Sequence, residues 1–454
     1  MSARRFASLA LVTSPLAASA YGAATLARQH PARLAADFAQ PLVVVTAWGA
    51  YGTAAFAWLA GGIGACAVLL GFALARVARE PLPIDRYAIF TGAALGLLAA
   101  AAWPFVFSSD AYAYAAYGAL AEHGYSPYIL PPATLHDAFL DAARWQWHGP
   151  IPVDIYGPGM LAISRTAVRL GHGRGVAATL GTLRLWAGCA FIASVVGLDV
   201  ALAAVAPRRR SLALAAYALN PVVIWGTAEG HNDAFVALGL AAAAAAARFG
   251  RVRAGGLLAG LLLLFKATGG ALGLGYALEA LRVRGGRGRS GAAATLAGLA
   301  LAAAFAVPPL VAALGTVRAS GRYAPAVSAG SLFGLGPALA VAAAAFLRGA
   351  RHLVRGDRRG YAWFGIAALL ALPNVYPWYA LWIVPCTLAA AGGPAAIGLW
   401  AATISSLVRY LPDASGTLSG HAAQLAAAVA LAPLTFALAE VWPHPRPKKV
   451  SAST

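Results

Sequence analysis

The chain has 454 residues, of which 60% are hydrophobic and only 11% charged, and its formal net charge is +19. Soluble proteins carry about 25% charged residues, so a water-soluble globular protein is excluded, and the lack of short alternating segments excludes a membrane β-barrel. The excess positive charge does not make a nucleic-acid face, because the Lys and Arg residues fall in short clusters between apolar runs, as cytoplasmic loops of membrane proteins do.

Apolar cores are predicted at 9–28, 41–75, 88–107, 178–206, 211–229, 234–248, 254–267, 269–281, 291–314, 329–348, 361–373, 376–392, 394–410 and 417–440. The reading is an all-α polytopic membrane protein with about 14 transmembrane helices, forming one integral membrane domain over 1–454. The first core follows Arg4 and Arg5 and continues to Ala27, which favours an uncleaved helix over a signal peptide. The second is long and must tilt or extend past the bilayer. The cores 254–267 and 269–281 are short for a full crossing. Cys66, Cys189 and Cys386 all lie inside apolar runs and show neither metal spacing nor a disulfide framework.

With the N-terminus in the cytoplasm, the loops 1–8, 76–87, 207–210, 248–253, 282–290, 348–359 and the tail from 441 face inward and hold most of the 34 Lys and Arg residues. Asp37, Asp110, Glu122, Asp137, Asp141, Asp154 and Asp413 face outward. Tyr156 to Gly171 reads as a helix, but a crossing there would carry Arg208, Arg209 and Arg210 to the wrong side. It is therefore expected to lie on the outer face with Arg165 and Arg169 at the headgroups. Residues 108–177 then form one large extracytoplasmic loop.

Asp110 stands where the third core leaves the membrane. Asp110, Tyr114 and Tyr117 are spaced i, i+4, i+7, so a helix puts them on one face, and Gly124 ends that helix. The carboxylate is either an N-cap or a general base at the membrane surface. The aromatic residues of this loop, among them Tyr125, Tyr128, Trp145, Trp147 and Tyr156, serve equally as an interfacial belt or as a stacking floor for sugar rings. His136, Asp137 and Asp141 are a weak metal candidate without first-row spacing.

Asn220 to Asp233 joins two predicted helices on the same side. Asn232 and Asp233 fit a helix cap, but Glu229, His231 and Asp233 together exceed what a cap needs, and ionisable groups at membrane depth mark a site. Lys266 interrupts an apolar run near the outer face, where it either meets a lipid phosphate or snorkels to the headgroups. Arg318, Arg322 and Tyr323 lie in a further outer loop, and Pro373 to Tyr379 makes an aromatic turn. Cations, a carboxylate and aromatic walls on one face suit group transfer from a lipid phosphate to a hydroxyl.

Four segments in order carry a resemblance: Ser109-Asp110 through Gly124-Tyr125-Ser126-Pro127-Tyr128, Tyr156-Gly157-Pro158, Asn220-Pro221 to Gly230-His231-Asn232-Asp233, and Tyr376-Pro377-Trp378-Tyr379. Over about 88–411 the chain resembles the GT-C fold glycosyltransferases that use a polyprenyl-phosphate sugar, most nearly the polyprenol-phosphomannose-dependent α-1,6-mannosyltransferases of actinobacteria. The resemblance implies inverting transfer of a sugar, expected to be mannose, to a hydroxyl of a cell-surface glycan or lipoglycan. It implies no metal cofactor and a bacterial plasma membrane location with the site on the extracytoplasmic side. Asp110 matches the general base. His231, Asn232, Asp233, Lys266 and Arg322 are expected around the donor phosphate and sugar, although Ala267 stands where the family has proline after the lysine. Tyr114, Tyr117, Tyr376 and Trp378 are expected to shape the pocket. A glucosyl or arabinosyl donor stays open. The competing classes are a flippase for a polyprenyl-linked or glycolipid substrate, which should show internal repeats and broken helices at the midplane, and a scaffold subunit, which leaves Asp110 and His231 without a task.

Overall fold

The computed structural model of the chain describes residues 2–29, 52–104, 108, 110–135, 140, 151–171, 175–282, 286–320, 327–390, 393–409 and 418–441. Among the described residues the regular structure is helical and no strand occurs. The first half runs α1 (Ser2–Ala10), α2 (Ser14–Gln29), α3 (Gly52–Arg79), α4 (Ile84–Ala101), α5 (Asp110–Glu122), α6 (Pro158–Gly171), α7 (Gly175–Ala201), α8 (Pro207–Ala218), α9 (Pro221–Ala228) and α10 (Asp233–Arg248). The second half runs α11 (Val252–Leu261), α12 (Ala267–Arg282), α13 (Gly286–Ser320), α14 (Ala329–Phe333), α15 (Leu335–Val354), α16 (Gly360–Ala371), α17 (Ala380–Ala389), α18 (Pro394–Ser405) and α19 (Leu418–Val441). Leu9, Ile89, Phe191, Tyr217 and Trp382 are fully buried in the main helical core, while α5 and α6 pack a second cluster around Tyr112, Tyr114, Tyr117 and Met160.

Five described helices are long and apolar enough to cross a membrane, namely α3, α4, α7, α13 and α19, or up to seven if each of two bent pairs is one crossing. This is fewer than the fourteen cores expected from hydropathy, and the reason is local. The core at 211–229 is α8 and α9, bent by 45° at Asn220-Pro221. Proline cannot continue the α8 hydrogen-bond ladder, and the Asn220 side chain restarts it by accepting from the N–H groups of Val222 (3.0 Å) and Val223 (3.3 Å). The core at 254–267 stops at Leu261 and tightens into a 3₁₀ turn, Leu262–Leu264. The core at 376–392 opens with a 3₁₀ turn, Pro377–Tyr379, before α17. A helix of 16 residues such as α10 spans about 24 Å, short of about 30 Å of hydrocarbon. The first part of the 41–75 core lies outside the described residues.

The helices sort charge between two ends of the bundle. Arg5 at the start of α1 holds the buried Asp85 at the start of α4 through two hydrogen bonds of 2.6 and 2.7 Å, and the Glu80 carbonyl accepts from the same guanidinium. Asp199, near the end of α7, pairs with Arg86 and, at 2.7 Å, with Arg210. α10 and α12 end at Arg248 and Arg282, and Arg282 donates to the Gly356 carbonyl just past α15 (3.0 Å). At the other end, Ala101 closes α4, Asp233 opens α10, Lys266 precedes α12 and Arg184 lies in the first half of α7, beside α5 and the turn at 374–379.

Candidate active site

Asp110 is the first residue of α5, where a carboxylate favours the helix dipole. Its carboxylate does more than cap. Oδ2 accepts the Tyr156 hydroxyl at 3.2 Å and lies 3.6 Å from Nδ1 of His231. Tyr114 meets the Tyr156 ring edge-on at 5.0 Å, and the Tyr117 hydroxyl donates to the Val153 carbonyl at 3.4 Å. The face shared by Asp110, Tyr114 and Tyr117 therefore lies against one segment, residues 153–156. That segment is fixed in turn. The Asp154 N–H donates to the Pro127 carbonyl (2.8 Å) and the Gly157 N–H to the Phe265 carbonyl (3.3 Å). A Cβ at Gly157 would stand 2.1 Å from the Leu264 carbonyl oxygen, so only glycine lets the backbone pass there.

The segment between α9 and α10 supplies the next groups. Gly230 takes the left-handed conformation, φ +86°, and reverses the chain after α9. The reversal sets His231, fully buried, with Nε2 3.6 Å from Glu229 and Nδ1 toward Asp110. Its ring stacks on Trp378 at 4.0 Å, Trp378 stacks on Tyr376 at 4.3 Å, and the Arg409 guanidinium lies 4.2 Å from the Tyr376 ring. These four planar groups form one column. Burial pulls the imidazole pKa down, but the Asp110 and Glu229 carboxylates outweigh it and hold His231 above its ordinary value. Arg184, set in the apolar α7, donates to the Ala228 carbonyl (2.6 Å) and the Ala101 carbonyl (3.0 Å). It thus ties the C-terminal ends of α9 and α4 beside the cluster.

Lys266 donates to both oxygens of Asp233, at 2.8 and 2.9 Å, and its ammonium lies 4.4 Å from the Tyr379 ring. Asp233 is fully buried and Lys266 only 11% exposed, so this is an interior ion pair and not a cation snorkelling to headgroups. Asn232 precedes α10 but does not cap it. Both polar atoms of its buried amide lack a hydrogen-bond partner among the described residues.

Asp110, Tyr114, His231, Asp233, Lys266, Tyr376 and Trp378 are thus linked by direct contacts, with Asn232 between His231 and Asp233. Tyr117 shares the face, and its buried hydroxyl donates to the Val153 carbonyl. Arg322, Tyr323, His136, Asp137, Asp141, Trp145 and Trp147 lie outside the described residues. Arg165 and Arg169 on α6 both pair with Glu122 of α5, Arg169 at 2.8 Å, so they clamp α6 to α5. Sequence reasoning missed Arg184, Arg409 and the role of Tyr156. The two arginines sat inside apolar cores, and a lone cation in such a core is a usable signal. No group of three or more His, Cys, Asp or Glu side chains able to hold a metal occurs among the described residues.

Asp154 adds a pH dependence to the segment that carries Tyr156. Burial pushes its carboxyl up to about 8, while the Tyr156 N–H donated to Oδ1 pulls the other way. An unfolded Asp titrates near 3.9, so between these values the folded chain keeps a proton that the unfolded chain releases. The corresponding stability is present below about pH 4 and is lost as pH rises through about 8. Asp154→Asn keeps the acceptor for Tyr156 and removes the titration. Its Tm, followed by intrinsic fluorescence, should exceed the parent's by a margin that widens from pH 5 to pH 8.

A carboxylate, buried cations and stacked rings gathered at one end of a helical bundle are the groups that transfer from a lipid phosphate to a hydroxyl would use. The chain matches the family model of the alpha-(1->6)-mannopyranosyltransferase N-terminal domain over residues 7–281. That stretch is more than half of the chain, and the chain belongs to this family. It is a membrane glycosyltransferase that moves mannose, and the flippase reading has no support. The match includes Asp110, His231, Asp233 and Lys266, while Tyr376, Trp378 and Arg409 lie beyond its end. No curated protein and no solved structure matches the chain.

Proposed function

We propose that the cluster around Asp110 transfers mannose from a polyprenyl phosphate to a hydroxyl of a surface glycan, forming an α-1,6 linkage with inversion at the sugar carbon. One observation carries the choice of base. Asp110 is 15% exposed, whereas Glu229 is 4% and Asp233 0% exposed, so Asp110 is the carboxylate of this cluster that a substrate can reach. Its contacts with Tyr156 and His231 both fall on Oδ2, which leaves Oδ1 for the acceptor hydroxyl. The acceptor oxygen bonds to the mannose C1, the C1–O bond to the lipid phosphate breaks, and Asp110 takes the acceptor proton. His231, whose protonated form the Asp110 and Glu229 carboxylates favour, and Lys266 offset the charge that grows on the leaving phosphate. The unpartnered Asn232 amide is suited to a sugar hydroxyl, and the Trp378–Tyr376 stack forms a wall for the sugar ring.

Divalent metal has no part in this scheme, because cations of the chain answer the phosphate charge. The basic end of the bundle, with Arg5, Arg210, Arg248, Arg282 and Arg351, faces the cytoplasm by the positive-inside rule. The catalytic cluster, at the other end, then faces the extracytoplasmic side of a bacterial plasma membrane. A polyprenyl phosphate carrying a photoreactive group near the phosphate tests the site. Adducts are expected on peptides spanning 228–233 and 374–379, and adducts confined to other peptides would exclude this placement of the donor.

A further inference from the structure

A cavity of about 630 Å³ opens between α15, α16 and α19. Its arginines lie toward the end of α15 that runs away from the segment tied to Asn374 by the Val327 N–H, the helix being about 30 Å long from Leu335 to Val354. Its walls carry two kinds of surface. Arg348, Arg351 and Arg355 line it with cations, and His352 stands beside them. Leu347 and Leu438 line it with apolar surface that is 58% and 64% exposed.

Arg351 sits in the last turn of α15, where a cation answers the helix dipole. Arg348 is a turn deeper and has no such role. Its guanidinium lies 4.8 Å from the Trp363 ring, and its Nε is buried without a hydrogen-bond partner among the described residues. The nearby carboxylates are engaged elsewhere. Asp357 accepts from His352 (2.9 Å) and pairs with Arg359 (2.6 Å). Glu440 accepts from Trp363 Nε1 (3.3 Å) and the Ala395 N–H (3.1 Å), with Arg359 at 3.8 Å. An arginine donor left without an acceptor in apolar surroundings is costly, and a phosphate is its strongest complement.

We infer that this cavity binds one anionic phospholipid, its phosphate held by Arg348, Arg351 and Arg355 and its acyl chains against Leu347 and Leu438. A free phosphate would satisfy the arginines but leave the apolar walls uncovered. Basic pockets between membrane helices on the cytoplasmic side hold acidic headgroups in this manner. The site is independent of the catalytic reading and needs only the membrane setting.

The test is native mass spectrometry of the delipidated full chain with dioleoyl phosphatidylglycerol or dioleoyl phosphatidylcholine. The parent should retain one phosphatidylglycerol at least tenfold more tightly than phosphatidylcholine. Arg348→Gln/Arg351→Gln should lose that preference, and Arg348→Lys/Arg351→Lys should keep most of it. Leu438→Glu, a change at an exposed wall position, should also weaken retention and stands in if the double glutamine variant misfolds. Equal retention of phosphatidylglycerol by the parent, the glutamine variant and Leu438→Glu would overturn the inference. Displacement of the lipid by millimolar inorganic phosphate would do the same, by assigning the cations to a free ion.

Discussion

Asp110→Asn is expected to lower mannose transfer by about 10²–10⁴-fold, the range a general base contributes, while leaving the helical bundle intact. Asparagine keeps an oxygen to accept the Tyr156 hydroxyl, which contacts Asp110 at 3.2 Å, and Asn is tolerated at a helix start. It cannot take a proton from an acceptor hydroxyl. The substitution also removes one of the two carboxylates that hold His231 above its ordinary pKa, so imidazole titration should shift downward in the variant. The loss should appear in kcat more than in KM, because the base acts on the reacting proton and not on the bound lipid. Steady-state transfer at saturating donor, alongside helicity by circular dichroism, checks both halves. A variant with parental kcat would remove Asp110 from the chemistry.

The second large effect concerns Lys266 and Asp233. The pair is interior, with two hydrogen bonds and a fully buried carboxylate. Removing one partner of such a pair leaves a charge without an acceptor or donor and costs about 3–5 kcal/mol, whereas removing both together costs far less. Lys266→Met and Asp233→Asn should each lower the unfolding midpoint sharply in detergent. The double variant should recover most of the loss, with a coupling energy above about 2 kcal/mol. Lys266→Met and the double variant should also transfer mannose poorly, since both lack the ammonium proposed to offset the phosphate charge. Additive stability effects would mean that Lys266 is not tied to Asp233 in the folded protein.

The membrane class, the sorting of charge and the placing of Asp110, His231 and Asp233 on one side of the membrane are legible in the sequence because each rests on local signals. Apolar run length, Arg clusters and i, i+4, i+7 spacing need no knowledge of the fold. The crossings were harder. Hydropathy reads Ser211 to Glu229 as one apolar run, but the 45° bend at Asn220-Pro221 makes it two helices. Packing then decides roles that spacing leaves open. Tyr117 belongs to the same face as Asp110 yet is used inside the α5–α6 cluster. Lys266, read as meeting a lipid phosphate or as snorkelling, is held by a carboxylate 33 residues earlier in the chain. The column of His231, Trp378, Tyr376 and Arg409 joins residues far apart in sequence, and no spacing rule reaches that far.

Donor and base are tested together by a transfer assay with the purified full chain in liposomes, in EDTA, offered radiolabelled polyprenyl-phosphate mannose or nucleotide mannose with a short mannoside acceptor. An α-1,6-linked product is expected from the polyprenyl donor alone, formed by the parent and lost in Asp110→Asn. Transfer from the nucleotide donor, or product formation by Asp110→Asn at the parental rate, would contradict that expectation.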